Sequence, residues 1–182
     1  MRIVRAFLAG AVACSAGAYT LDQVSPYTNT SYNMFSPGLH WQQEVVAGLA
    51  GPLVQVDLYV TQAGSCTFFI NDGAPWQGDP PNWTTTFTAT TTGWVSVNTA
   101  AAGVFFNPGD HFVLGFDTLG VGVLNLGGSW QPPAGGYPPG QLYINGGIQG
   151  DGAYDIAFRT YVPEPAGLAC GGLSALFLRR RR

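Results

Sequence analysis

Short runs in which apolar and polar residues alternate place the strongest constraint on the fold of this chain. Between residues 52 and 61 every second side chain is apolar, at Val54, Val56, Leu58 and Val60. Side chains of an extended strand point alternately to opposite faces, so this pattern predicts a strand with one buried face. Comparable runs occupy residues 65–70, 94–98, 111–119 and 154–161, and further strands are predicted over residues 40–47, 121–126 and 141–144. The sequence therefore predicts an all-β protein.

Turn residues divide the chain into these short segments. With 26 glycines and 13 prolines among 182 residues, few stretches could hold a long helix. Asn71-Asp72-Gly73 and Asn107-Pro108-Gly109-Asp110 are typical turn sequences. About eight to ten short strands joined by such turns indicate two packed antiparallel sheets. We predict a jelly-roll-like β-sandwich over residues 19–161, with an up-and-down barrel as the alternative.

Residues 1–18 have the features of an export signal. Arg2 and Arg5 precede an apolar run from Ala6 to Cys14, and Ala16 and Ala18 form the small-x-small pattern of a signal peptidase site. We predict a helical signal peptide that is handled by the Sec translocon and signal peptidase, with cleavage between Ala18 and Tyr19.

Residues 162–182 combine three features in a fixed order. The segment Val162-Pro163-Glu164-Pro165 is followed by an apolar stretch, residues 166–178, and then by Arg179, Arg180, Arg181 and Arg182. A short apolar helix followed by cations is typical of a segment that enters a membrane with its arginines on the cytoplasmic side. The stretch has 13 residues, fewer than the ~20 that span a bilayer. We therefore expect a transient insertion of this tail into the inner membrane.

The tail resembles the PEP-CTERM sorting signal of bacterial surface proteins, with Val162-Pro163-Glu164-Pro165 as the matching motif. The resemblance implies that exosortase, a membrane-embedded enzyme, recognises this motif and processes residues 162–182. It also implies a Gram-negative-type bacterial envelope and a location at the cell surface or in the extracellular matrix. An association with exopolysaccharide is a further implication of the same resemblance.

The charge of the central region excludes nucleic acid as a partner. Residues 19–162 carry one base, Arg159, and nine acids, a formal net charge of −8, and the chain has no lysine. This charge would repel a phosphate backbone rather than bind it.

Neither the histidines nor the acids form a recognisable catalytic motif. His40 and His111 are far apart in sequence, and the chain has no Gly-x-Ser-x-Gly, phosphate-binding or HExxH motif. We therefore predict no catalytic residue, no cofactor and a non-enzymatic protein. Acids in glycine-rich turns, at Asp72 and Asp151, leave a calcium ion as a candidate ligand because calcium prefers hard oxygen donors.

Several residues are predicted to have structural roles. Trp41 and Trp94 lie inside predicted strands, and Cys66 lies in an apolar run. All three are therefore predicted to lie in the core. Asp155 and Arg159 lie four residues apart in the last predicted strand. We predict that they form a salt bridge that holds this strand in place.

Aromatic residues in two Pro/Gly-rich loops suggest a binding surface. Trp76 and Trp83 lie at the first loop, and Trp130 and Tyr137 lie in the second, residues 127–140. Exposed rings beside carboxylates and amides can stack on sugars while the polar groups bind their hydroxyls. The leading prediction is an exported, non-enzymatic surface or matrix protein that is sorted by exosortase. The alternative is a carbohydrate-binding module that recognises exopolysaccharide through these four aromatic residues, unless the rings simply cover sheet edges.

Overall fold

The computed structural model describes residues 18–33, 38–73, 81–118, 124–131 and 136–164. These residues form fifteen β-strands, numbered here in chain order, and two short 3₁₀ helices, Ala100–Ala102 and Gly150–Gly152. No helix among them is long and apolar enough to cross a membrane. The protein is an all-β protein in which two main antiparallel sheets pack together, as the alternation predicts. The predicted signal helix and the predicted C-terminal helix lie outside the described residues.

The first sheet has seven strands centred on β5. They are β1 (Tyr19–Ser25), β2 (Thr30–Asn33), β5 (Gln55–Gln62), β8 (Gly93–Asn98), β11 (Asn125–Trp130), β14 (Tyr154–Ile156) and β15 (Phe158–Pro163). One edge of β5 pairs with β8, and the other edge pairs first with β15 and then with β11. The first and last strands of this sheet in sequence, β1 and β15, also pair with each other.

Ala157 divides the last hydrogen-bonded segment into two strands. Its N–H donates to Gly127 O at 2.8 Å, and its carbonyl accepts from Tyr59 N at 3.2 Å. As a result β14 pairs with β11, whereas β15 pairs with β5. The regular alternation that the sequence predicts over residues 154–161 is interrupted at this residue.

The second sheet has six strands in the order β13-β12-β3-β10-β6-β7. Their bounds are β3 (His40–Val46), β6 (Gly64–Asp72), β7 (Trp83–Ala89), β10 (His111–Thr118), β12 (Leu142–Ile144) and β13 (Gly147–Ile148). A separate two-stranded sheet joins β4 (Gly51–Pro52) to β9 (Phe105–Phe106).

The core contains apolar side chains from both sheets. Phe68, Phe112 and Phe116 come from the second sheet and Leu58 and Phe158 from the first, and all five are fully buried. The predicted burial of Cys66 is confirmed, and this burial raises the pKa of its thiol to about 12. The thiol therefore stays protonated and unreactive at neutral pH. Trp41 is also in the core, at 7% exposure, as predicted.

The observed strands differ from the sequence prediction in three regions of the chain. The strand expected over residues 121–126 begins at Asn125 and continues through Trp130, into the segment predicted as a loop. The strands β1 and β2 were not predicted, because a bulge between Leu21 and Gln23 breaks the alternation of β1. The last strand continues through Pro163, two residues beyond the predicted domain boundary.

Candidate functional site

Part of the predicted sorting motif belongs to the folded sheet. Val162 is buried, and Pro163 pairs with Tyr19 at the end of the β1–β15 ladder. Glu164 donates its backbone N–H to Ala18 O at 2.9 Å. The remaining predicted sorting and cleavage residues, Ala16, Pro165 and Arg179 to Arg182, lie outside the described residues.

Of the four aromatic residues predicted to bind carbohydrate, three are described and do not form one surface. The fourth, Trp76, lies outside the described residues. Trp83 is partly buried on β7, at one edge of the second sheet, where its ring meets Phe68 edge-on at 6.2 Å. The prediction for Tyr137 is wrong, because this side chain is only 3% exposed and its ring packs against Phe158 at 5.0 Å. Trp130 is 49% exposed and is available to a ligand.

A cleft lies beside Trp130 at the end of the sandwich where β2 and β14 approach β3 and β12. Its volume is about 360 Å³, within the range of small-molecule sites, about 300–1,000 Å³. Both sheets contribute to its walls, whose residues are Thr30, Ser31, Tyr32, Trp41, Leu142, Ile144, Gln149 and Tyr154.

Four aromatic rings, which we name the cleft group, lead from the surface into this cleft: Trp130, Tyr154, Tyr32 and Trp41. Trp130 and Tyr154 are directly opposite on β11 and β14, and their rings stack at 6.3 Å with an interplanar angle of 29°. Tyr154 then meets Tyr32 at 6.0 Å, and Tyr32 meets Trp41 at 5.7 Å. The group changes along its length from half-exposed to buried.

The backbone of β11 holds Tyr32 in place. The Tyr32 hydroxyl donates to Ser129 O at 2.9 Å, and its ring lies on Gly128. A Cβ at Gly128 would stand 2.3 Å from a carbon of the Tyr32 ring, so glycine is required at this position. Burial raises the pKa of Tyr32 well above its usual value, and the hydroxyl therefore remains a neutral donor.

The polar atoms of the cleft are uncharged, and some of them have no partner. Gln149 Nε2 donates to Gly147 O at 2.8 Å. Among the described residues, neither Gln149 Oε1 nor the Tyr154 hydroxyl has a hydrogen-bond partner. Trp41 Nε1 is buried and also lacks one. A ligand at the rim could donate to Gln149 Oε1, and could donate to or accept from the Tyr154 hydroxyl, without displacing a protein partner.

A buried carboxylate, Asp155, connects the two sheets beneath this region. Asp155 Oδ1 accepts from Gln43 Nε2 at 3.0 Å, and Asp155 Oδ2 accepts from Tyr137 N at 2.9 Å. Burial raises the pKa of Asp155 to about 6, although these hydrogen bonds lower it in part. The predicted salt bridge with Arg159 is wrong, because the interruption at Ala157 leaves Arg159 on the opposite, outer surface.

A second aromatic cluster, the outer-face group, covers the outer surface of the first sheet and consists of Tyr27, Tyr59, Trp94 and Arg159. Tyr27 and Tyr59 stack face to face at 4.1 Å, Tyr59 meets Trp94 edge-on at 5.3 Å, and the Arg159 guanidinium lies 4.0 Å above the Trp94 ring. The prediction of Trp94 in the core is therefore wrong. The strand alternation places Trp94 opposite Tyr59, on the face away from Val56 and Leu58.

The adjacent buried carboxylate, Asp57, is fully engaged. It accepts hydrogen bonds from Gln55 Nε2 at 2.8 Å, from Ser96 Oγ at 2.7 Å and from the Tyr161 hydroxyl at 2.7 Å. Both carboxylate oxygens of Asp57 therefore have protein partners.

Each histidine is paired with a carboxylate of a neighbouring strand. His40 Nδ1 lies 2.6 Å from Asp117 Oδ1, and His111 Nδ1 lies 2.8 Å from Glu44 Oε1. Asp72 lines a second cleft, of about 410 Å³, with His111, whereas Asp151 is exposed in the Gly150–Gly152 turn. Over the described ranges, no three His, Cys, Asp or Glu side chains converge as metal ligands.

No protein-family profile matches the chain, and no curated protein is similar to it in sequence. The function of the protein is therefore inferred from the geometry of the cleft and from the sequence of the two ends. The sequence pointed to Trp130, but not to Tyr154 and Tyr32, because only the pairing of β11 with β14 and β2 brings these residues together.

Proposed function

We propose that the protein is an exported, non-enzymatic cell-surface or matrix protein whose β-sandwich binds carbohydrate in the cleft. The observation that carries the binding proposal is the stacked Trp130–Tyr154 pair at the rim, with the unpaired Tyr154 hydroxyl and Gln149 oxygen beside it. The apolar face of a pyranose ring packs on an aromatic ring, while its hydroxyls need hydrogen-bonding partners at the edge. The cleft offers both kinds of contact.

The choice of a binding rather than a catalytic function is supported by the residues that line the cleft. No histidine, cysteine or carboxylate is among them. Hydrolysis of a glycosidic bond commonly requires two carboxyl groups that face each other across the substrate. Asp155 lies near the cleft but is buried and hydrogen-bonded to Gln43 and Tyr137. We therefore assign it a structural role.

The proposed export and sorting are supported by the sequence of the two ends. Residues 1–18 would direct the chain to the Sec translocon and signal peptidase, and residues 162–182 would direct it to exosortase, with transient insertion in the inner membrane. The resulting location is the surface or extracellular matrix of a Gram-negative-type bacterium, where exopolysaccharide would be the ligand available to the cleft.

The finer description of the fold as jelly-roll-like is part of this proposal. It is supported by the way in which the chain alternates between the sheets, from β5 to β6, from β7 to β8 and from β10 to β11. Repeated crossing of this kind is a feature of two-sheet jelly rolls.

The binding proposal is tested with the purified protein and a set of polysaccharides, including the exopolysaccharide of the host. We expect saturable binding that changes tryptophan fluorescence and is lost in Trp130→Ala. The matched control is Trp94→Ala, which removes a tryptophan from the outer-face group instead. Equal binding by wild type and Trp130→Ala would contradict the proposal, as would the absence of binding to every polysaccharide.

The sorting proposal is tested on the residues of the motif that lie beyond the last strand. Changing Glu164 and Pro165 together to alanine spares the buried Val162 and the paired Pro163. In the host, we expect this variant to keep an unprocessed tail, as measured by the mass of its C-terminal peptide. The control is the double change of Thr90 and Thr91 to alanine in an exposed turn. Normal processing of the Glu164 and Pro165 variant would count against recognition of the motif.

A further inference from the structure

We propose that the cleft selects neutral saccharides and rejects those that carry carboxylate, sulfate or phosphate groups. This inference rests on the carbohydrate binding proposed above and adds the chemical class of the ligand. It follows from three observations: the character of the lining, the position of the only arginine in the described residues, and the acids close to the cleft.

Among the described residues, the lining contains no charged side chain. Its polar groups are the hydroxyls of Thr30, Ser31, Tyr32 and Tyr154, the indole N–H of Trp41 and the carboxamide of Gln149. Ser31 Oγ already shares a hydrogen bond with Thr61 Oγ1 at 2.5 Å, and Thr30 Oγ1 donates to Asn29 Oδ1 at 3.0 Å. The Trp41 N–H is buried at the inner end of the cleft. At the rim, the groups without a partner among the described residues are the Gln149 oxygen, which accepts, and the Tyr154 hydroxyl, which can donate or accept. Sugar hydroxyls satisfy both atoms, whereas a ligand carboxylate cannot donate to the Gln149 oxygen.

The cation that could pair with an anionic sugar is in a different place. Arg159, the only lysine or arginine among the described residues, lies over Trp94 in the outer-face group. The lining residues come from β2, β3, β12 and β14 and the turn at Gln149, so within the described part of the chain no guanidinium reaches the cleft wall. An anion that leaves water without a partner loses solvation that nothing replaces.

Two acids are close in sequence to residues that line the cleft. Asp151 is exposed two residues after Gln149, and Asp155 directly follows Tyr154 in sequence. Residues 19–162 as a whole have a formal net charge of −8. This field disfavours the approach of an anionic chain and is weakened by salt.

The experiment uses the purified full chain and three neutral polysaccharides, dextran, mannan and hydroxyethylcellulose. Each is paired with a carboxylated derivative of the same chain length. For any polysaccharide that binds, we expect the carboxylated partner to bind at least about tenfold more weakly at low ionic strength. The difference in affinity between the neutral polysaccharide and its carboxylated partner should decrease when salt is added. A carboxylated partner that binds equally well or better would overturn the inference, while the proposed carbohydrate binding would stand.

Two variants make the test sharper. Gln149→Arg places a cation at the rim and should raise the affinity for the carboxylated derivative relative to the neutral one by at least about tenfold. Thr90→Arg, which adds the same cation in the exposed turn between β7 and β8, is the matched control and should leave the preference for neutral chains unchanged. If Gln149→Arg does not change this preference, the cleft is not where charge is selected. If neither member of any pair binds, the proposed carbohydrate function itself fails.

Discussion

The cleft group and the outer-face group are two aromatic clusters of the same sandwich that differ in where they lie: the cleft group leads into a cleft between the two sheets, whereas the outer-face group lies on the outer surface of one sheet. In the outer-face group Tyr27 stacks on Tyr59 and Arg159 covers Trp94, while Asp57 accepts three hydrogen bonds. In the cleft group Trp130 is half-exposed, and the Tyr154 hydroxyl beside it has no partner among the described residues.

This difference shows why exposure of a ring is a poor indicator of a binding site. Both groups reach the surface, and single exposed apolar side chains are normal in soluble proteins. The distinguishing property is a concave space between the two sheets that includes a buried polar atom, Trp41 Nε1, without a partner among the described residues. A buried polar atom without a partner costs free energy that a ligand can recover.

The largest effect is expected from Trp41→Ala, at the buried end of the cleft group. Trp41 is 7% exposed and belongs to the core cluster, so its loss leaves a cavity and should reduce the free energy of unfolding by about 3–5 kcal/mol. Urea denaturation followed by circular dichroism measures this change. A loss below about 1 kcal/mol would show that the inner end of the cleft is not part of the core.

A second large effect concerns pH and the carboxylate beneath the cleft. Burial raises the pKa of Asp155 to about 6 in the folded protein, compared with about 3.9 in an unfolded chain. As pH rises, the unfolded chain releases this proton first, so the stabilising contribution present below about pH 4 is lost as pH approaches about 6. The difference between the two pKa values corresponds to about 3 kcal/mol.

The pH effect is measured by urea unfolding between pH 4 and pH 8 for wild type and Asp155→Asn, a range chosen to include about 6. The variant lacks this titration, so its free energy of unfolding should not show the fall that Asp155 contributes to the wild type. Parallel pH profiles for the two proteins would contradict the assignment of a raised pKa to Asp155.

Trp130→Ala should separate binding from stability. Because Trp130 is 49% exposed, its removal should change the free energy of unfolding by no more than about 0.5 kcal/mol. Affinity for a bound polysaccharide should fall by about 10–100-fold, which is about 1.4–2.7 kcal/mol. Calorimetric titration measures the affinity and thermal unfolding the stability. If Trp130→Ala is destabilised but binds polysaccharide normally, Trp130 stabilises the fold and does not contact the ligand.

The smallest effect is expected from Trp94→Ala, the counterpart of Trp130→Ala in the outer-face group. Loss of the Arg159 contact and of the edge-on contact with Tyr59 should reduce the free energy of unfolding by about 1 kcal/mol. Polysaccharide affinity should be unchanged. If Trp94→Ala reduces the polysaccharide affinity and Trp130→Ala does not, the outer-face group is the binding site and the cleft group is not.

Local features of the chain were predictable because they depend on residues close in sequence. The alternation at Val54, Val56, Leu58 and Val60 predicted β5, and the turn at 107–110 correctly placed the start of β10. The burial of Cys66 followed from its apolar neighbours. Tyr137 was not predictable in this way, because its burial depends on hydrogen bonds with Asp155, Val46 and Gln23, which are distant in sequence.

The sequence by itself determined the class of the fold, since a period of two is a property of the extended chain, and it determined the excess of acids over bases in residues 19–162. The tertiary structure alone decided which aromatic residues meet. Trp130 is beside Tyr154 because β11 pairs with β14, and Asp155 is separated from Arg159 because Ala157 interrupts the strand. The physical reason is that strand pairing joins residues far apart in the chain, and one interrupted position changes which face every later side chain occupies.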